Sequence, residues 1–215
     1  VDEHTKLVYL ANPNNPTGSW IDRDALAQFV RALPAHVVLV LDEAYREYAV
    51  APEMPDGLEF LDLRERYVVV RTFSKAYGLA ALRVGYLVAT PTMMAALERA
   101  RLPFSINTLA QVAAMAALED PDHLARCRHQ NRAEMNWLGP QLTALGCVVT
   151  PSQANFLLVD FGRPGVAAAL AQYGVVIRSM APYGMPTQAR ITVGTHVENA
   201  ALVHTLARAS ILAKR

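Results

Sequence analysis

Lys75 stands in the run Thr72-Phe73-Ser74-Lys75-Ala76-Tyr77-Gly78-Leu79, just after the apolar stretch Tyr67-Val68-Val69-Val70 and eight residues before Arg83. The apolar stretch reads as a strand, and open α/β sheets bind their ligands at the carboxyl ends of strands. Lysine is also the side chain that forms imines with carbonyl compounds once burial or nearby cations expose its neutral amine. Two further strand patterns end in polar groups. Leu7-Val8-Tyr9-Leu10 runs into Asn12-Pro13-Asn14-Asn15-Pro16-Thr17-Gly18, and Val37-Val38-Leu39-Val40-Leu41 closes on Asp42-Glu43-Ala44-Tyr45. An amine, an amide and a carboxylate with a phenol therefore sit at three strand ends.

The cofactor that enzymes hold through a lysine imine is pyridoxal 5'-phosphate. Together these segments resemble the fold-type I enzymes that use it, and within them the histidinol-phosphate aminotransferase-like branch of the class I and II aminotransferases. The resemblance runs from Leu7 to about Leu206. It includes Pro103-Phe104-Ser105-Ile106-Asn107 with Ala110-Gln111, then Ala154-Asn155-Phe156, and Arg190-Ile191-Thr192-Val193-Gly194-Thr195. The order and spacing of these motifs are specific for the superfamily and less so for a substrate.

The resemblance implies a role for each of these residues. Lys75 carries the cofactor and then serves as general base and acid. Asp42 pairs with the protonated ring nitrogen, and Asn15 and Tyr45 donate to the phenolic oxygen. Thr72, Ser74 and Arg83 anchor the phosphate, for which hydroxyls and a guanidinium fork are suited donors. Arg190 holds a substrate α-carboxylate, Arg178 reaches the distal end of the substrate, and Asn155 lies at its rim. Each has an ordinary reading too. Asp42 can cap a turn, the asparagines can bond their own backbone between prolines, and Arg178 can pair with a surface acid. For Asn12 and Asn14 the turn reading is preferred, with Gly18 as the relief point. An arginine flanked as in Leu82-Arg83-Val84 needs an anionic partner if it is buried. The family often has glycine where Ala81 stands, so the backbone there is expected to keep a negative φ or bear strain.

The activity implied is transamination of histidinol phosphate with 2-oxoglutarate, a small-molecule amino donor and a 2-oxo acid, by a homodimer. An aromatic amino acid aminotransferase, a decarboxylase of a phosphorylated amino acid, and the effector-binding domain of a transcription regulator are the alternatives. In the family a further amino-terminal section precedes the first strand and supplies more of the sheet, a phosphate-binding glycine turn and a ring stacked on the cofactor. The sequence is accordingly expected to be either the carboxyl-terminal part of a longer enzyme or a chain from which the upstream segment was removed.

The elements that position these residues follow a strand, helix, strand order, which implies a mostly parallel sheet. A helix is expected from Asp22, as N-cap, to Leu33, with Pro34 beyond it. A loop follows over Pro52 to Asp62, and strands over Tyr67 to Thr72 and Val84 to Ala89. Helices are expected over Thr92 to Arg101 behind Pro91, Ala110 to Leu118 and Asp122 to Leu138. After Gly139-Pro140 the pattern becomes short strands around Val148, Phe156 to Asp160, Val175 to Arg178 and Ile191 to Val193. Helices near Val166 to Gln172 and Glu198 to Ala209 accompany them. The fold class is thus α/β, with a partial large domain over 1-138 and a small α+β domain over 139-215.

With 215 residues, 53% of them hydrophobic, the chain can bury a substantial core. A formal charge of +1 with interspersed signs gives no footprint for nucleic acid. No stretch reaches the roughly 20 apolar residues that span a bilayer. Cys127 and Cys147 make no disulfide framework and fit a reducing compartment, so the cytoplasm is expected. His123 and Cys127 share a helix face at i and i+4, but two ligands make no zinc site, and no metal is expected.

Overall fold

The structure is a computed structural model, and it describes residues 1-208. The chain divides into two compact units, Val1–Asn14 with Trp20–Cys127, and Asn15–Ser19 with the residues from Arg128 on. The architecture is α/β.

In the first unit, β1 (Leu7–Ala11), α1 (Arg23–Ala32), β2 (Val38–Asp42), β3 (Tyr67–Thr72) and β4 (Gly85–Ala89) follow in order. They form a sheet β1-β2-β3-β4 in which the first three strands are parallel and β4 runs antiparallel to β3. Asp22 caps α1, its carboxylate accepting from the Ala25 amide at 2.8 Å, and the helix buries Leu26 and Val30, one turn apart. These pack with Leu39, Leu41, Tyr67, Val69 and Phe60. Because successive strand residues point to opposite faces, this core takes one face of the sheet. Tyr9, Asp42 and Thr72 belong to the other.

α2 (Pro91–Ala100) and α3 (Thr108–Leu118) complete the first unit, capped by Thr90 and Asn107. α4 (Pro121–Ala144) is longer than expected, for it continues through Gly139-Pro140. Proline inside a helix costs about 3 kcal/mol. Leu138 and Leu142 lie one turn apart on either side of it and are fully buried. Each such side chain contributes about 1.5–3 kcal/mol, and together they outweigh the proline. The Thr143 hydroxyl also donates to the Gly139 carbonyl at 3.1 Å.

The second unit has β5 (Val148–Val149), β6 (Phe156–Asp160), α5 (Val166–Ala171), β7 (Arg178–Ser179), β8 (Gln188–Thr192) and α6 (His196–Arg208). Its sheet, β5-β6-β8-β7, pairs antiparallel throughout. Leu138, Leu142, Leu157, Val159, Leu170, Ile191 and Leu206 fill its core. Ala209, the expected last residue of the final helix, lies outside the described residues.

Two further expectations are corrected. Gly57–Leu63, read as loop, is a 3₁₀ segment started by a capping box in which Asp56 and Glu59 each accept from the other end of the turn. The strand expected over Val175 to Arg178 shrinks to β7, because the Val175 amide turns back to the Leu170 carbonyl at the end of α5 while Val175 and Ile177 pack on the core.

Candidate active site

The parallel register aligns the ends of β2 and β3. Asp42 lies opposite Val70, and the next amide, Glu43, donates to the Val70 carbonyl at 2.9 Å. On the other side the Asn12 amide donates to the Asp42 carbonyl at 2.9 Å. The Asp42 carboxylate takes the Ala44 amide on Oδ1 at 2.8 Å, the turn cap of its ordinary reading, and the Tyr9 hydroxyl on Oδ2.

Beyond β3 the chain folds into a tight loop that presents Lys75. The Ser74 amide donates to Thr72 Oγ1 at 3.0 Å, Gly78 to the Lys75 carbonyl at 3.0 Å, and Leu79 to the Phe73 carbonyl at 2.9 Å. Phe73 and Tyr77 are buried with their ring centroids 4.9 Å apart, and they weight the loop onto the protein. Lys75 Nζ lies 5.2 Å from the centre of the Tyr45 ring, within the range of a cation–π contact. His123, for which the sequence suggested no metal site, has Nε2 at 3.0 Å from the Ala76 carbonyl, so it braces the residue next to the lysine.

Arg83 Nη1 reaches the Ala80 carbonyl at 2.8 Å and stands 3.5 Å from Ser74 Oγ. Ala81 keeps a negative φ, the first of the two outcomes expected there, and the left-handed residue is Arg83. Ala81 sits inside a short 3₁₀ turn, Ala80–Leu82, and Arg83 ends that turn with φ 51°. A left-handed conformation costs a residue with a side chain about 1–2 kcal/mol, and such strain gathers at functional sites. Lys75, Tyr45, Asp42, Thr72, Ser74 and Arg83 are thus all set out at one end of the first unit's sheet.

Behind the carboxylate runs a buried ionic network that sequence reading missed. Glu43 is fully buried, with Oε1 accepting from the Gly57 amide at 2.8 Å and Oε2 taking Arg71 Nε and Nη2 at 2.8 and 2.6 Å. Arg71 Nη2 also reaches Asp56 at 2.6 Å. Burial holds the Glu43 carboxyl above its ordinary range, a larger effect than the attraction of Arg71 that opposes it. The signal was present in the sequence, as charged residues directly continuing two apolar strand patterns.

The second unit carries Asn15, Arg190, Arg178 and Asn155. Arg190 Nη1 donates to Asn15 Oδ1 at 2.7 Å, which leaves the amide Nδ2 as the donor end of Asn15. The guanidinium lies 5.0 Å from the centre of the Phe156 ring, and its buried Nε has no hydrogen-bond partner among the described residues. Arg178 is exposed and sits directly opposite Arg190 across β7 and β8. Like charges so placed repel. Asn155 precedes β6 and accepts the Val193 amide on its backbone carbonyl at 2.9 Å. Gly18 has φ 73°, and a Cβ there would collide with Ser152. Asn12 does more than turn the chain, bonding through its side chain to both backbone groups of Ile21.

Among the described residues no cluster of His, Cys, Asp and Glu is placed to hold a metal ion, and no helix is long and apolar enough to cross a membrane.

The chain is 49% identical over 210 residues to histidinol-phosphate aminotransferase 2 of Pseudomonas fluorescens, an alignment covering 97% of this chain and 57% of that protein. It is 46% identical over 209 residues to the histidinol-phosphate aminotransferase of Bacillus pumilus, covering 96% and 57%. The chain thus spans somewhat more than half the length of these relatives. Among solved structures, histidinol-phosphate aminotransferase from Sinorhizobium meliloti in complex with pyridoxal-5'-phosphate superposes with a TM-score of 0.87 at 34% identity, over 96% of this chain and 57% of that one. L-threonine-O-3-phosphate decarboxylase from Porphyromonas gingivalis gives 0.83 at 25% identity, over 95% and 64%. Residues 1–206 match the family described as aminotransferase class I and II, which with the fold-type I architecture makes this chain a member of that family.

Proposed function

We propose that the protein is a pyridoxal-phosphate-dependent aminotransferase that exchanges an amino group between histidinol phosphate and 2-oxoglutarate. The observation that carries this reading is the donor set at the end of the first unit's sheet. An amine, two hydroxyls and a guanidinium lie along one loop from Thr72 to Arg83 beside the Asp42 carboxylate. That set fits a phosphorylated pyridine aldehyde, which needs an amine for its carbonyl, hydroxyl and cationic donors for its phosphate and an anion for its ring nitrogen. When bound, the cofactor withdraws electrons from the substrate α-carbon.

The chain's own residues supply the rest. Lys75 would hold the cofactor through its amine and, as a free amine, would move a proton at the substrate α-carbon. Asp42 keeps the ring nitrogen protonated, and Tyr45 and Asn15 Nδ2 donate to the phenolic oxygen. Thr72, Ser74 and Arg83 bind the phosphate. Arg190 binds the α-carboxylate of glutamate, Arg178 a distal anion, and Asn155 lines the substrate's rim. The relatives named for histidinol phosphate support that donor. The exposed apolar residues Phe104, Leu109, Val112 and Met115 suit a homodimer, and two free cysteines suit the cytoplasm.

Borohydride reduction of the cofactor-treated full-length protein, followed by peptide mapping, is expected to place a pyridoxyl group on Lys75. Turnover of histidinol phosphate with 2-oxoglutarate is expected alongside it. An adduct on another lysine overturns the site, and carbon dioxide release from a phosphorylated amino acid such as threonine phosphate, with no amino transfer from histidinol phosphate, turns the reading to the decarboxylase.

A further inference from the structure

Tyr9 lies in the strand before the Asn12-to-Gly18 turn and has no role among those the resemblance implies, yet it touches the central carboxylate of the first unit. In β1 it is paired with Val40, two residues before Asp42 in β2. Val8 and Leu10 turn to the core, whereas Leu7 and Tyr9 point to the opposite face and are 55% and 58% exposed. A tyrosine leaning along its strand reaches about two residues toward the carboxyl end. There its hydroxyl donates to Asp42 Oδ2.

We propose that Tyr9 is a positioning residue for Asp42, fixing the plane of the carboxylate that meets the cofactor's ring nitrogen; this rests on the role given to Asp42 above. A carboxylate held by one donor can still turn about its Cβ–Cγ bond. Asp42 is held by two donors from different elements, the Ala44 amide on Oδ1 and the Tyr9 hydroxyl on Oδ2. Each oxygen keeps a further acceptor site, so the clamp orients the group without filling it. Its backbone is pinned as well, by Asn12 on one side and Val70 on the other. Together they preorganise the anion where a developing positive charge must be matched. A hydroxyl bonded to a charged oxygen is among the stronger hydrogen bonds. Tyr9 also remains a donor over the whole physiological range, because burial of its hydroxyl and then the Asp42 bond push it up to about 12.

Two measurements on the full-length protein test this. In the cofactor-free protein with ring-labelled tyrosine, the NMR signal lost in Tyr9→Phe is expected to titrate near 12, and in Asp42→Asn to move down toward the ordinary value. No movement means that the two groups are uncoupled and overturns the proposal, whatever the cofactor does. In the cofactor-loaded protein, Tyr9→Phe is expected to lower kcat about tenfold. KM and the thermal midpoint should change little, and the pH midpoint of the visible cofactor band should shift. Unchanged kcat and band overturn the proposal, as does a loss that merely follows a fallen thermal midpoint. Failure of this inference is distinct from failure of the functional reading, since the latter shows as a pyridoxyl adduct away from Lys75.

Discussion

Arg83 pays for its place with backbone strain, and the strain separates two things that a substitution can change. Its φ of 51° suits glycine, while its guanidinium stands beside Ser74 Oγ. Arg83→Gly is therefore expected to leave the thermal stability of the cofactor-free protein level or slightly raised. Relief of about 1–2 kcal/mol is set against the roughly 0.5–1 kcal/mol that glycine loses through its freer unfolded chain. Cofactor affinity should fall at least about tenfold, as expected when a charge-assisted phosphate contact is lost. Thermal melts with and without the cofactor check both parts. A large loss of stability without it would show the side chain to be structural. At this scale the sequence was legible where a polar group follows an apolar strand, as Asp42 ends β2 and Lys75 follows β3. It was silent where the question was conformational, since nothing in Leu79-Ala80-Ala81-Leu82-Arg83 says which residue beside a short turn takes the left-handed conformation. Tyr9 was legible only once the parallel register put it on the face of Asp42.

Between β2 and β3 the pairing of backbones is reinforced by the Arg71–Glu43 pair, and this has a measurable pH signature. Removing one partner of a buried pair costs about 3–5 kcal/mol, because the other charge is left without compensation. Glu43 already binds its proton more tightly in the folded chain than a free carboxylate does. In Arg71→Met that preference must grow. A carboxyl raised in the folded state favours folding most below the ordinary carboxylate range, and this contribution is lost as pH rises through the folded value. Urea midpoints of Arg71→Met should therefore fall more steeply than those of the parent as pH rises above the ordinary carboxylate range. Adding Glu43→Gln should flatten the profile and recover much of the loss. Parallel profiles would mean that Glu43 does not sense Arg71. Elements were the most legible scale, since apolar runs bounded by turn residues gave β1, β2, β3, β6 and the capped α1. Tertiary burial undid the rest, as Leu138 and Leu142 carried α4 through Pro140.

At the scale of the whole molecule the open question is the substrate, and the second unit bears on it through two arginines. Arg178 and Arg190 face each other across β7 and β8, an arrangement that is unfavourable without anions. Nη1 of Arg190 is engaged by Asn15, and its buried Nε has no partner among the described residues. The family and its α/β architecture were legible from motif order along the chain. Which anion each arginine reads was not, because pairing across a sheet brings together residues that the sequence separates by the connection between β7 and β8. Histidinol phosphate is an amino alcohol with a distal phosphate and no α-carboxylate, whereas glutamate has both an α-carboxylate and a distal one. Arg190→Lys keeps the charge and loses the planar fork. It should raise the apparent KM for glutamate by about tenfold and leave that for histidinol phosphate much less changed. Arg178→Ala should impair both, while phenylalanine, which has no distal anion, is spared. Steady-state kinetics with the three donors on the full-length protein decide between the readings. If Arg178→Ala leaves histidinol phosphate kinetics unchanged, its distal-anion role is wrong, and an aromatic amino acid becomes the better donor for this site.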